Sequence, residues 1–295
     1  MNREGSKIQK QEVREQIPID FAQESVASEK HPDRNEDAVL INPREGFFGV
    51  FDGMGGHSSG EVASQTACDY VIAHSSDVSN GTDVETAKTA LSKVIVGSDM
   101  AVREISEGSG MGTTAVVLKI HTDMEGKNWA LIASVGDSRA YKISVDGVMQ
   151  QLTVDDDLLS ESGLSHEEQE RIAKKIADAK DAKDLDEVSS GSYRGEGYYF
   201  RTRNQITRAV GLGVGSPNVY SFIVNKRDRF LITSDGVHDN LTTSEIEETI
   251  NESQTPEEVA KNLVQKSIAR SREPKEKQMR AKPDDMSAVV IVVTF

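Results

Sequence analysis

Apolar residues along this chain fall in short runs that are punctuated by glycine, proline and aspartate. Phe47–Phe51, Thr114–Ile120, Trp129–Val135, Ala140–Val145, Val148–Thr153, Ser221–Val224, Phe230–Thr233 and Ala288–Thr294 have the length and composition of strands. Several follow one another through short turns, and Asp146-Gly147 between two of them is a two-residue hairpin signal. Strands joined this way run antiparallel, which argues against a doubly wound parallel sheet. Helical spacing takes over elsewhere. Val62, Ala63, Ala67, Tyr70 and Val71 make one apolar stripe. Thr255-Pro256-Glu257-Glu258 supplies an N-cap, a proline at the first helical position and an acid three residues on; Val259, Leu263, Val264 and Ile268 continue the apolar face. Ser165-His166-Glu167-Glu168 and Ser244-Glu245-Ile246-Glu247 are further capping-box candidates. The pattern predicts an α+β layered domain, two antiparallel sheets with long helices packed on them.

Two stretches lack that patterning. Residues 1–20 are polar and read as a flexible tail, which leaves 21–295 as one domain with no linker long enough to divide it. Residues 154–205 carry alternating charge blocks such as IADAKDAKDLDEV and then the loop-like SSGSYRGEGYYF. A solvated helix followed by a mobile flap is the expectation there, and a surface insertion without catalytic duty is an equal alternative.

Charge changes the picture more than composition does. The formal net charge of −15 over 295 residues gives poor long-range attraction for nucleic acid or anionic membranes, so neither is expected as a partner. It would also repel a phosphorylated substrate unless bound cations reversed the sign locally. The apolar runs are far shorter than a membrane span, the N-terminus shows no secretory signal, and the single Cys68 cannot build a disulfide framework. A cytoplasmic monomer is the simplest reading. Cys68 lies on an apolar helix face without an activating neighbour and reads as core.

The candidate chemistry lies in carboxylates. GFFGVFDGMGGH and DRFLITSDGVHD each drive an apolar strand into Asp-Gly, at Asp52-Gly53 and Asp235-Gly236, and polar, helix-leading sequence follows. Asp-Gly is ordinarily a turn. At the mouth of a buried strand, however, an acid is costly unless paired or coordinated, and the glycine lets backbone approach closely. Glu36-Asp37 precedes one apolar stretch, Asp284-Asp285 precedes the last strand, and Asp137 lies in SVGDSRAY between two strands. Such oxygen-only ligands suit magnesium or manganese better than zinc.

Eight segments, RNEDA, VFDGMGGH, GMGTTAV, VGDSRAY, LTVDDDLL, ITRAVGLG, LITSDGVHDNL and DDMSAVVI, occur in an order that resembles the type 2C, PPM-class protein phosphatases, and DGMGGH resembles their bacterial branch. The resemblance runs from about Ala22 to Phe295. It implies a four-layer α-β-β-α sandwich with metals at one end of the sheets. It also implies a protein serine/threonine phosphatase with two manganese or magnesium ions, and a possible third, acting on phosphorylated proteins made by Ser/Thr kinases. By position, Asp52 would bridge two metals, with the Gly53 carbonyl and Glu36 on the second-metal side. Asp235 and Asp284 would hold the first metal, and Asp137 matches a third, weaker site. Asp284 fits better than Asp285, which stands where the family has asparagine. Asp37 would orient the attacking water. Two cations about 4 Å apart activate such a water and neutralise the phosphoryl group, so no covalent phospho-enzyme is needed.

Departures from the family keep two other readings open. Pro32 stands where the family places a phosphate-binding arginine; Arg34, near Lys30 and His31, is the candidate substitute, with a structural ion pair as the alternative. Met54 replaces the histidine of animal members, His57 in the glycine-rich loop reads as packing or capping, and Thr113 and Thr114 read as strand packing. A pseudophosphatase serving as a binding module, or a phosphatase for a small metabolite, would also fit these departures.

Overall fold

The computed structural model describes residues 18–55, 59–106, 108, 110–186 and 194–294. Its strands are β1 (Ile19–Val26), β2 (Asp37–Asn42), β3 (Phe47–Met54), β4 (Gly112–Thr113), β5 (Ala115–Thr122), β6 (Asn128–Val135), β7 (Arg139–Ile143), β8 (Met149–Gln151), β9 (Asn218–Ile223), β10 (Arg229–Thr233) and β11 (Met286–Val293). One sheet has the order β1-β11-β10-β7-β8. The other runs β2-β3-β5-β6-β9, with β4 pairing β3 off that path. The paired neighbours run antiparallel. The helices are α1 (Ser59–Ala73), α2 (Val84–Ser106), α3 (His166–Asp178), α4 (Glu196–Arg201), α5 (Asp235–His238), α6 (Thr243–Glu252) and α7 (Pro256–Ser271).

Three apolar layers hold the sandwich together. Phe48, Val50, Val116, Leu118, Phe230, Val289 and Ile291 fill the space between the sheets. On the outer face of the second sheet, Phe47, Phe51, Val117 and Leu131 meet Ala67 and Val71 of α1 and Leu91 and Ile95 of α2. On the outer face of the first, Tyr141, Leu231 and Val290 meet Ile246 of α6 and Leu263 and Val264 of α7. The α-β-β-α order follows from strands that are apolar on both faces: neighbours such as Phe47 and Phe48 point to opposite layers, and each is fully buried. Each such side chain contributes about 2–3 kcal/mol of transfer free energy.

The structure moves several sequence-derived boundaries. β1 begins at Ile19, inside the segment expected as a tail, and pairs β11 from Ile19↔Val293 to Val26↔Met286. Only Ile19 and Phe21 face the inter-sheet core, so this edge strand carries little periodic signal; residues 1–17 lie outside the described residues. The Asp146-Gly147 hairpin exists, but its loop runs from Ser144 to Val148, where the Ser144 N–H donates to the Val148 carbonyl. The N-cap of α6 is Thr242, in a reciprocal box with Glu245, two residues before the expected Ser244. Ser165 and Thr255 cap α3 and α7 as expected. The long α2 keeps buried Leu91, Val94, Ile95 and Val102 at helical spacing, but Ser98 and Asp99 interrupt its apolar face and weaken its signal in the sequence. In the 154–205 region, α3 is indeed largely solvated, yet Leu159, Ile172, Ile176, Leu185, Tyr199 and Phe200 build a small core of their own. Residues 187–193 of the expected flap lie outside the described residues.

Candidate metal centre

Strand ends from both sheets converge at one end of the sandwich and bring carboxylates and the groups that brace them. β3 carries Asp52 directly opposite Asp37 of β2. The Asp52 N–H donates to Thr114 Oγ1 at 2.9 Å, and its carbonyl accepts from the Thr114 N–H at 2.8 Å and Thr113 Oγ1 at 2.9 Å. The two threonines thus fix the Asp52 backbone, a more specific duty than the strand packing expected of them. The Gly53 N–H donates to the Glu36 carbonyl at 3.0 Å, which fastens the Glu36-Asp37 pair beside Asp52.

The other sheet supplies the facing half. β10 ends at Thr233, Ser234 precedes α5, and Asp235 is the first residue of that helix. Ser234 Oγ donates to Asp37 Oδ2 at 2.7 Å and accepts from the Ser287 N–H at 3.0 Å, so one hydroxyl stitches the two sheets together at the site. Asp137 lies where β6 of one sheet hands over to β7 of the other. Asp284 and Asp285 immediately precede β11. Their roles separate cleanly: the Asp285 carboxylate accepts from the Ser28 N–H at 2.6 Å and the Glu36 N–H at 2.7 Å, so both oxygens are spent on backbone. Asp284 is left to face the cluster, as its sequence position implied.

Glycine at both Asp-Gly steps is a matter of space. A Cβ on Gly236 would lie 1.8 Å from the Asp285 carbonyl oxygen, and one on Gly53 would lie 2.2 Å from the Gly60 carbonyl oxygen and 2.5 Å from that of Glu36. Each glycine lets two backbone segments meet where the carboxylates must converge.

Mutual repulsion marks the cluster. Burial, and then the charges of Asp37, Asp235, Asp284 and Asp137, push the Asp52 carboxyl well above its ordinary range. Burial and then Asp235 do the same to Asp137. Burial raises Asp37 to about 8 against the Ser287 and Ser234 hydroxyls, and it raises Asp235 to about 6 against the nearby Lys282 ammonium. Among the described residues, Asp37 Oδ1 and Asp235 Oδ1 are buried oxygens with neither a hydrogen-bond partner nor an ion pair. Unpaired buried carboxylate oxygens are costly, and a hard divalent cation is the ligand an all-oxygen set of this kind satisfies. The residues therefore fit the metals that the sequence implied.

Arg34 reaches this end of the molecule. Its Nη2 lies 2.9 Å from Glu36 Oε1, its side chain is partly exposed, and its Nε is buried without a hydrogen-bond partner. His31 Nδ1 lies 2.9 Å from the Arg34 carbonyl oxygen. His31, Glu36 and Asp285 offer ligand atoms within 4.8 Å of one another, although Asp285 is already engaged by backbone. Pro32 is exposed. Met54 closes β3 opposite Gly112, and His57 lies outside the described residues. Cys68 is buried in α1, and burial pushes its thiol up to about 12, which suits a core residue.

Sequence reading missed four charged groups. Asp239, one helical turn beyond Asp235, is buried; its Oδ1 accepts from Arg203 Nε at 2.8 Å. Burial works against its charge, yet Arg203 and Lys282 hold it well below the ordinary carboxylate range. The i,i+4 spacing in DGVHD was the available signal. Lys282 contacts Asp235 Oδ2 and lies 3.3 Å from Asp239 Oδ2 and 3.1 Å from Asp284 Oδ2. Arg280, fully buried, donates to the carbonyls of Ile176 and Ala179 on one side and His238 and Leu241 on the other, bolting the end of α3 to that of α5. Lys282, Arg203 and Arg280 had no local pattern to announce them.

Comparison with known proteins gives the same answer. Residues 21–275 match the family model described as protein phosphatase 2C. A serine/threonine phosphatase, stp, of Listeria innocua is 30% identical over 245 residues, covering 81% of this chain and 85% of that protein. The serine/threonine protein phosphatase PstP of Mycobacterium tuberculosis is 35% identical over 133 residues, 41% of this chain and 22% of its own. A crystal structure of the latter enzyme superimposes with a TM-score of 0.67 at 23% identity, covering 94% of this chain and 99% of that one. A structure of a PstP catalytic domain in complex with two manganese ions gives a TM-score of 0.67 at 24% identity with the same coverage. At that identity the structural likeness speaks for the two-sheet fold alone, while the family match spans most of the sequence. With its two antiparallel sheets and the carboxylates gathered at one end of them, the chain belongs to the protein phosphatase 2C family.

Proposed function

We propose that this chain hydrolyses phosphoserine and phosphothreonine esters in proteins with the help of two manganese or magnesium ions. The observation that carries the reading is the convergence of Asp52, Asp37, Asp137, Asp235 and Asp284 into one largely buried, self-repelling cluster in which Asp37 Oδ1 and Asp235 Oδ1 are left unpaired. When bound, the cations supply an acidified water and offset charge on the transferring phosphoryl group. Asp52, with Glu36 and the Gly53 carbonyl on one side and Asp235 with Asp284 on the other, would hold them, and Asp137 is the candidate for a third.

The chain's own groups have separable duties. Asp37, anchored through Oδ2 by Ser234, keeps Oδ1 free to orient the attacking water and take its proton. Arg34 carries a partly exposed guanidinium to the rim, where, on letting go of Glu36, it can grip phosphoryl oxygens bidentately in place of the arginine absent at Pro32. Cys68 takes no part. The phosphorylated substrates would be products of Ser/Thr kinases, and the setting we propose is a cytoplasmic monomer; among the described residues no helix is long and apolar enough to cross a membrane. The complete acidic set argues against the pseudophosphatase alternative. Purified protein should cleave a phosphothreonine peptide with added manganese and lose that activity with chelator. Full activity in chelator sinks the reading.

A further inference from the structure

Lys282 places a positive charge inside the carboxylate cluster that the proposed chemistry does not use. Its placement is enforced. Asn240 Oδ1 accepts from the Lys282 N–H at 3.0 Å, and Asn240 Nδ2 donates to the Lys282 carbonyl at 2.8 Å and to the Gly236 carbonyl at 2.9 Å. One side chain thus clamps the Lys282 backbone to the helix that begins with Asp235. Two residues earlier, the buried Arg280 anchors the same segment to four carbonyls. The side chain is 17% exposed and its ammonium lies among Asp235, Asp239 and Asp284. Two of these, Asp235 and Asp284, are residues assigned above to one of the two cations.

A dication and an ammonium cannot share that space. Both would draw on the same two carboxylates, and like charges a few ångströms apart in a partly dry site repel strongly. On the opposite side of the site, Lys282 pairs with neither Asp52 nor Asp37, and Arg34 pairs with Glu36 from the rim.

We propose that Lys282 is a tethered competitor for the metal held by Asp235 and Asp284: its ammonium occupies their carboxylates and must withdraw before that cation binds. The inference rests on the metal reading above and adds a consequence to it. The two cations bind unequally, with the Asp235 side the weaker, and the lysine sets the difference.

Titration calorimetry with Mn²⁺ at fixed pH and ionic strength, on the full chain and on Lys282→Met, tests this. The methionine keeps the aliphatic stem and removes the charge. The weaker of the two dissociation constants should tighten by on the order of tenfold or more, while the tighter one stays within about twofold. Wild-type protein gives a second measurement that does not depend on the variant folding. Amine acetylation followed by mass spectrometry should find Lys282 protected without metal and several-fold more reactive at saturating Mn²⁺. An unchanged weaker constant, or labelling indifferent to Mn²⁺, overturns the role of Lys282 alone. No Mn²⁺ binding by either protein overturns the metal reading with it.

Discussion

The two Asp-Gly steps look alike in sequence and are built differently. At the β3 side, Asp52 stays within a strand, faces Asp37 across the ladder, and the charges that dominate its surroundings are carboxylates. At the β10 side, the strand has ended, Asp235 opens a helix, and Lys282 and Arg203 already balance Asp235 and Asp239. One half stores uncompensated charge, and the other carries its own counter-ions. A site that must bind cations gains affinity from the first arrangement and tolerates their absence through the second.

Neutralising either aspartate is the harshest way to probe this. Asp52→Asn and Asp235→Asn should each lower kcat by about 10³-fold or more, equivalent to roughly 4 kcal/mol of barrier, in a manganese-dependent phosphopeptide assay. Their stabilities in chelator should diverge. Asp52→Asn removes a buried charge that nothing offsets and should stabilise the metal-free chain by roughly 1–3 kcal/mol in thermal or urea unfolding. Asp235→Asn relieves a smaller burial cost and also deprives Lys282 of a partner, so it should gain clearly less. Equal stabilisation of both variants would erase the distinction between the halves.

The glycines test whether the halves are equally tight. Gly236→Ala places a Cβ on the Asp285 carbonyl oxygen, and Gly53→Ala places one on the carbonyls of Gly60 and Glu36. Backbone cannot yield as a side chain tip can, so each variant should lose about 3 kcal/mol or more by denaturant unfolding. The 1.8 Å approach at Gly236, against 2.2 Å at Gly53, makes the β10 side the worse of the two.

These outcomes bear on what the sequence could reveal. Most strands of both sheets were legible because their residues are apolar on both faces, as Phe47–Phe51 and Ala288–Val293 show; the short β2, Asp37–Asn42, was read only as an apolar stretch. β1 was not, since an edge strand with Ile19 and Phe21 alone facing the core leaves almost no pattern. The carboxylates Asp52, Asp235 and Asp284 were legible because each sits where a strand meets a turn, a local signature. Lys282 sits in RAKPDD, two residues before Asp284, and nothing local distinguishes it from a surface lysine. Its meaning comes from Asn240 and Asp239, some forty residues away in sequence. Counter-charges chosen by tertiary packing leave no motif.

The pH dependence of the metal-free chain follows from the same asymmetry. Burial raises Asp37 to about 8 and Asp235 to about 6 in the folded state, above the unfolded value near 4. Folding therefore favours the protonated forms. The contribution is complete below about pH 4 and is lost as pH rises through about 6 for Asp235 and about 8 for Asp37. In chelator, stability should fall between pH 5 and 8 by a few kcal/mol, at most about 1.4 kcal/mol per unit for each group. Asp37→Asn should flatten the upper part of that decline, and saturating manganese should remove most of it.

Arg34 offers the smallest and most discriminating effect, because it belongs to the β3 side yet stands outside the carboxylate cluster. Its ion pair with Glu36 at 2.9 Å is partly exposed, and an exposed pair is worth at most about 1 kcal/mol, so a purely structural arginine would matter little. A phosphate-gripping arginine behaves otherwise. Arg34→Lys keeps the charge but loses the planar fork, and it should raise KM for a phosphothreonine peptide by about tenfold with kcat nearly unchanged. Arg34→Ala should go further in the same direction, because Arg34 would bind the phosphoryl group. A fall in kcat with KM unchanged would instead place Arg34 among the groups that hold Glu36 in position, and phosphate recognition would have to come from elsewhere on the β3 rim.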